Sequence, residues 1–177
     1  MIKKVLIANR GEIAVRIIRA CREMGIETVA VCSEADRNAL HAMLADQTIC
    51  IGPAPSSESY LNIGRIISAT ITSGADAIHP GFGFLSEDAK FARICERCNI
   101  TFIGPTSDMI AAYGNKAQAK KTMMDAGVPT IPGSAEAVTS VKDGLKLADI
   151  ATYPVMIKAS LGGGGKGMRV ASTKEAF

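Results

Sequence analysis

The stretch KASLGGGGKGMRV, Lys158 to Val170, decides how this 177-residue chain is read. Four consecutive glycines between lysines suggest backbone N–H groups free to approach a phosphate, but several phosphate cradles share that composition. A Walker A loop requires a glycine four residues ahead of Gly-Lys and a Ser or Thr after the lysine. Ser160 stands at the first position and Gly167 at the last, so that reading fails. Gly162, Gly164 and Gly167 satisfy G-x-G-x-x-G, yet the dinucleotide turn must open directly into a helix, and Met168-Arg169-Val170-Ala171 reads as a strand. Pro154 to Lys158 also reads as a strand. Strand, glycine loop, strand is a flap that can close its backbone over a triphosphate, with Lys158 supplying a point charge.

Working outward, short apolar runs rich in Val and Ile fall at Val5–Ile7, Thr28–Val31, Gln47–Ile51, Ala75–His79 and Thr101–Ile103, each bounded by turn residues as buried strands are. Helical stripes lie between them: Ile13, Ile17, Cys21 and Met24 on one, Leu61, Ile63, Ile66, Ile67 and Thr70 on another. Strand and helix alternate to about residue 110, which predicts an α/β fold with a parallel sheet covered on both faces. Helices are expected over Thr106–Tyr113, Lys116–Ala126 and Ser140–Ile150. A further helix is expected to start at Thr173, and an α/β unit ending there has not buried its faces, so the chain reads as the front part of a longer protein.

Composition narrows the function classes. With 47% hydrophobic and 21% charged residues the chain is of the soluble globular class. Its 20 basic and 17 acidic residues are dispersed, so the net charge of +3 argues against nucleic acid or membrane partners. No segment approaches the ~18 apolar residues of a membrane span. The five cysteines, including Cys95-x-x-Cys98 without a second pair, read as reduced thiols in a cytoplasmic protein. Asn9-Arg10-Gly11-Glu12 after the first strand carries a single glycine, which disfavours pyrophosphate, and Asp36 reads as a loop residue rather than a ribose ligand of a nicotinamide enzyme. His79, in the Pro-Gly turn after the fourth strand, reads as a hydrogen-bonded turn residue.

In series, IANRGEIAVRIIRACREMGI, DQTICIGPAPSSESYLN, AIHPGFGFLSED, FIGPTSD, GNKAQAK, AGVPTIPGS and YPVMIKASLGGGGKGMRV resemble the biotin carboxylases, ATP-grasp enzymes. The resemblance implies a Rossmann-like pre-ATP-grasp domain over residues 1–112, a linker helix over 113–130 and the first part of a small ATP-grasp lid over 131–177. It implies an ATP-dependent ligase that uses MgATP (or Mn2+) to activate bicarbonate as carboxyphosphate and carboxylates biotin on a carrier protein. By the same resemblance Lys116, Lys158, Gly163, Gly164, Gly165, Gly167 and Met168 match nucleotide contacts, and Phe82 and Gly83 lie near biotin and bicarbonate. Arg16, Arg19 and Glu23 share one face of the first helix; spacing alone favours solvated ion pairing, whereas the resemblance implies the family's dimer interface.

Two positions depart from the family. Phe82 replaces a usual Tyr, and Leu161 replaces a flap glycine. The family's metal ligands, bicarbonate ligands and catalytic residues are expected beyond residue 177, so the chain alone is expected to be inactive and to bind nucleotide weakly. The starting Met without a transit peptide favours the separate biotin carboxylase subunit of acetyl-CoA carboxylase, in fatty acid synthesis, with biotin carboxyl carrier protein and carboxyltransferase subunits as partners. The alternatives are pyruvate or propionyl-CoA carboxylase and a non-catalytic dimerising module.

Overall fold

The computed structural model describes residues 1–131, 133–134, 138–159 and 167–177, without the side chains of Lys116 and Ala117. It divides into two compact units, Met1–Ile110 and Ala111–Phe177. The first runs β1 (Lys4–Ile7), α1 (Gly11–Glu23), β2 (Glu27–Cys32), α2 (Leu40–Leu44), β3 (Gln47–Cys50), α3 (Ile63–Ser73), β4 (Ala77–His79), α4 (Ala89–Arg97) and β5 (Thr101–Phe102). The strands form one parallel sheet in the order β3-β2-β1-β4-β5, the α/β architecture that the alternating pattern predicts.

Alternation along β1 explains the two-layer cover. Val5 and Ile7 face a cluster containing Ala14, Ile17 and Ile18 of α1, whereas Leu6 and Ala8 face a larger cluster containing Ile66 of α3 and Phe91 of α4. Each large side chain buried this way contributes about 1.5–3 kcal/mol. The helices begin and end where local chemistry directs. Asn62 and Asp88 cap α3 and α4 by accepting from the N–H groups of Arg65 and Phe91. Helix α1 closes with Gly25 at φ +68°, where the N–H groups of Gly25 and Ile26 donate to the carbonyls of Arg22 and Cys21, a Schellman arrangement.

Three expectations are corrected. Met24, placed on the buried stripe, follows the helix as its C-cap and is 73% exposed. Leu61 precedes the Asn62 cap of α3 and is exposed for the same reason: the stripe extends one step beyond the helix. Strand β3 is not covered on both faces, because it is the sheet edge and exposes Gln47, Thr48 and Cys50.

In the second unit, α5 (Ser107–Gly114, which begins in the first), α6 (Lys116–Asp125) and α7 (Val141–Ala151) precede the antiparallel pair β6 (Val155–Lys158) and β7 (Met168–Ala171). The helix expected at Thr173 is instead a turn, with the N–H groups of Ala176 and Phe177 donating to the carbonyls of Thr173 and Lys174. The Phe177 ring lies against Gly144 of α7, where an added Cβ would stand 2.7 Å from the ring. Among the described residues no helix is long and apolar enough to cross a membrane, and no group of three or more His, Cys, Asp or Glu side chains is placed to hold a metal ion.

Phe91 is fully buried and meets the Phe102 ring edge-on at 5.9 Å. Phe91→Ala should therefore destabilise the first unit by about 3–5 kcal/mol, read from urea denaturation. A loss under about 1 kcal/mol would contradict this packing.

Candidate functional site

The strand order reverses between β1 and β4, so the chain leaves their carboxyl ends in different directions and opens a crevice there. Asn9, directly after β1, is 4% exposed, and its Nδ2 donates to the carbonyls of Pro80 and Phe82, both at 2.8 Å. Gly81 and Gly83 each adopt φ +65° in the loop so held. At Gly81 a side chain is excluded twice over, by that φ and by Asn9 Nδ2 only 2.7 Å from where Cβ would stand. The crevice encloses about 470 Å³ and is lined by Asn9, Arg10, Gly11, Asp36, His41, Phe82, Gly83 and Phe84, among others.

Its charge is fixed by a compact network. The Arg10 guanidinium lies 5.3 Å from the Tyr60 ring centroid and 5.6 Å from that of Phe84, while the two rings stack 5.0 Å apart. Arg10 Nη1 also pairs with Asp36 at 3.3 Å. Asp36 accepts in addition from the Tyr60 hydroxyl and Ser33 Oγ, both at 2.7 Å. Burial raises the Asp36 pKa, but the hydrogen bonds from Tyr60, Ser33 and Arg10 outweigh it and hold the carboxyl below its ordinary value. Asp36, read from sequence as a loop residue, ends a short 3-10 helix, Glu34–Asp36, and anchors Arg10 and Tyr60.

Burial favours the neutral form of both histidines. His79 Nδ1 accepts from the Gly81 N–H at 3.1 Å, as expected of a turn residue, and burial holds its pKa below the ordinary value. His41 is 1% exposed, and burial likewise lowers its pKa. Its Nε2 faces the Val31 carbonyl at 3.3 Å and must donate there, which leaves Nδ1 as a buried acceptor with no partner among the described residues. Phe82, by contrast, presents its ring to solvent at 63% exposure.

In the second unit the β6–β7 hairpin pairs Lys158 with Met168, and the Ala159 N–H donates to the Gly167 carbonyl at 3.2 Å. Lys158 is exposed on the last position of β6, and Gly167 enters β7 at φ +74°. Gly163, Gly164 and Gly165 lie outside the described residues. Lys116 opens α6, behind Asn115, whose side chain accepts from the Gln118 N–H. Arg16, Arg19 and Glu23 all lie exposed on α1, and no ion pair joins them among the described residues. The structure therefore brings Phe82 and Gly83 together at the crevice and Lys158, Gly167 and Met168 together at the hairpin. Tyr60, Phe84 and His41 escape the sequence reading, and Asn9, read there as part of the loop after the first strand, carried one signal, a polar residue following the apolar run Val5–Ala8.

The Asp36 network generates a pH prediction. A carboxyl held below its unfolded pKa adds stability that is complete above the ordinary value of 3.8 and is lost as pH falls through the folded value. Asp36→Ala should cost about 1–3 kcal/mol at neutral pH and flatten the acid side of the stability profile, measured by urea unfolding across pH. Parallel acid limbs in the two proteins would contradict it.

Comparison with known proteins fits this geometry. The family described as biotin carboxylase, N-terminal domain, matches residues 1–110, and that described as carbamoyl-phosphate synthase L chain, ATP binding domain, matches residues 115–177. Biotin carboxylase 1 of Bacillus subtilis is 59% identical over 99% of the chain, and the biotin carboxylase of Haemophilus influenzae is 58% identical over all of it. The chain spans 39% and 40% of those relatives. Among solved structures, the Campylobacter jejuni biotin carboxylase complex with β,γ-ATP superposes at TM-score 0.94 with 51% identity, over 99% of this chain and 39% of that one. The biotin carboxylase domain dimer of Hydrogenobacter thermophilus 2-oxoglutarate carboxylase, with MgADP and bicarbonate, superposes at 0.93 with 49% identity over the same shares. An apolar parallel sheet reversing at β1, a crevice closed by an Asn-anchored Pro-Gly loop and a matching family over most of the chain make one conclusion: this chain belongs to the biotin carboxylase N-terminal domain family.

Proposed function

We propose that this chain is the N-terminal part of a biotin carboxylase, an ATP-dependent ligase that carboxylates carrier-bound biotin with bicarbonate, as the separate subunit of a cytoplasmic acetyl-CoA carboxylase serving fatty acid synthesis. The observation that carries the reading is the β6–β7 hairpin, which frames the glycine run with Lys158 at its mouth. An exposed ammonium beside a strand-bounded glycine loop fits a polyphosphate, since phosphoryl transfer depends on positioned cations and backbone donors. In this reading the residues that hold Mg2+ or Mn2+ belong to the remainder of the parent protein. When bound, the nucleotide supplies the phosphoryl group that activates bicarbonate.

In this reading residues 1–112 are the pre-ATP-grasp domain, 113–130 the linker helix and 131–177 the first part of the lid. Lys158 and Lys116 hold phosphate charge, Gly163, Gly164, Gly165 and Gly167 let backbone N–H groups approach, and Met168 packs near the base. Phe82 and Gly83, on the loop fixed by Asn9, border the place where biotin and bicarbonate bind in the parent enzyme. Without the Tyr hydroxyl, Phe82 offers that site an apolar ring only. Arg16, Arg19 and Glu23 on the outer face of α1 form a homodimer contact, and the carrier protein and carboxyltransferase subunits act downstream. The chain alone, spanning 39% of the Bacillus subtilis relative, lacks turnover.

The same segment is found in the biotin carboxylase subunit of a pyruvate carboxylase, 51% identical at TM-score 0.75. The length of the parent polypeptide separates the two. In the parent protein, Lys158→Gln should raise the KM for ATP about tenfold to a hundredfold by removing a charge-assisted contact, measured by ADP release; an unchanged KM would remove Lys158 from the site. Arg19→Glu should convert a sedimenting dimer to monomer, and equal sedimentation of both proteins would remove α1 from the interface.

A further inference from the structure

The register of β2 against β3 sets Cys32 directly beside Cys50. Neighbouring strands lie about 4.8 Å apart, within the Cα separation of about 4.4–6.8 Å that a disulfide spans. Side chains at paired positions share a face of the sheet. Val31 and Ile49, the preceding pair, pack into the large core cluster, so Cys32 and Cys50 stand on the opposite face.

The two sulfurs differ in access and surroundings. Cys32 is 1% exposed, whereas Cys50, the last residue of the edge strand, is exposed. Arg37 Nη2 donates to Cys50 Sγ at 3.8 Å, and the Cys50 thiol faces the Gly52 carbonyl at 3.9 Å. The Arg37 guanidinium thus stands beside the one of the two sulfurs that solvent reaches. Burial raises the Cys32 pKa, and the adjacent Cys50, hydrogen-bonded to it, raises it further, so Cys32 remains a thiol until its partner is oxidised.

We propose that Cys32 and Cys50 are an oxidation site, a dithiol that peroxide converts to a cross-strand disulfide, with Cys50 as the attacking and Cys32 as the resolving residue. The Cys50 thiolate attacks one oxygen of hydrogen peroxide, breaking the O–O bond and forming a sulfenic acid, while the departing hydroxide takes a proton and leaves as water. The Cys32 sulfur then attacks the Cys50 sulfur, the S–O bond breaks, and the thiol proton leaves with the hydroxyl as a second water. Two thiols lose two electrons and two hydrogens, and peroxide gains both. The bond would tie β2 to β3 one residue before Ser33, whose N–H donates to the Tyr60 hydroxyl and whose Oγ donates to Asp36, the groups that hold Arg10 at the crevice. Oxidation at the sheet edge thereby reaches the crevice wall without any need for nucleotide chemistry.

The test treats the reduced 177-residue chain with hydrogen peroxide, followed by non-reducing proteolysis and mass spectrometry. The expected product is a Cys32–Cys50 linked peptide, lighter by two hydrogens and restored by dithiothreitol, and phenylarsine oxide, which bridges paired thiols, should block its formation. Cys50→Ser should abolish the link and leave Cys32 reduced, with an unchanged urea midpoint showing that the variant folds. Over-oxidation of Cys50 to sulfinic acid while Cys32 stays a free thiol would overturn the proposal, as would a link confined to Cys95 and Cys98.

Discussion

A single side-chain amide connects the sheet to the crevice that the fold exists to present. Asn9 stands where β1 ends, and its two donated hydrogen bonds fix the carbonyls of Pro80 and Phe82 in the loop after β4. Each such bond contributes only about 1 kcal/mol net, yet leaving buried carbonyls without a donor costs about 1–3 kcal/mol apiece. The amide therefore selects one conformation of the Pro-Gly loop over the alternatives that its glycines allow. Gly81 is obliged to be glycine by the same contact, because the amide occupies the space a side chain would need.

The charge at this crevice is organised the same way. Arg10 would be a mobile cation were it not held against Tyr60 and Phe84 and paired with Asp36. Tyr60 is fully buried and donates a hydrogen bond from its hydroxyl to Asp36, so ring stacking, cation placement and carboxylate solvation form one unit. The hairpin of the second unit is built on the opposite economy. Met156, Ile157 and Val170 remain substantially exposed on it, and its pairing rests on the backbone ladder of β6 and β7. An exposed two-stranded ribbon is marginal alone.

Much of this was legible in the sequence. The Val and Ile runs placed the strands because buried parallel strands must be apolar on both faces, and the failure of the glycine run to precede a helix separated a flap from a dinucleotide turn. Met24 and Leu61 misled because an apolar residue at helical spacing looks the same inside a helix and one step past its end. The exposure of β3 follows from its place at the sheet edge, which no local pattern announces. The roles of Asn9, Tyr60 and Asp36 were hidden for a deeper reason: their partners lie tens of residues away, Asn9 with Pro80 and Phe82 and Tyr60 with Asp36, so no spacing rule relates them.

The proposed function makes this chain part of an ATP-dependent carboxylase. The measurement that tests it most directly is ADP formation by the purified parent protein, with bicarbonate and free biotin supplied in turn. ADP release that depends on bicarbonate and rises when biotin is added is the result the account predicts. Release that proceeds at the same rate without either would contradict it.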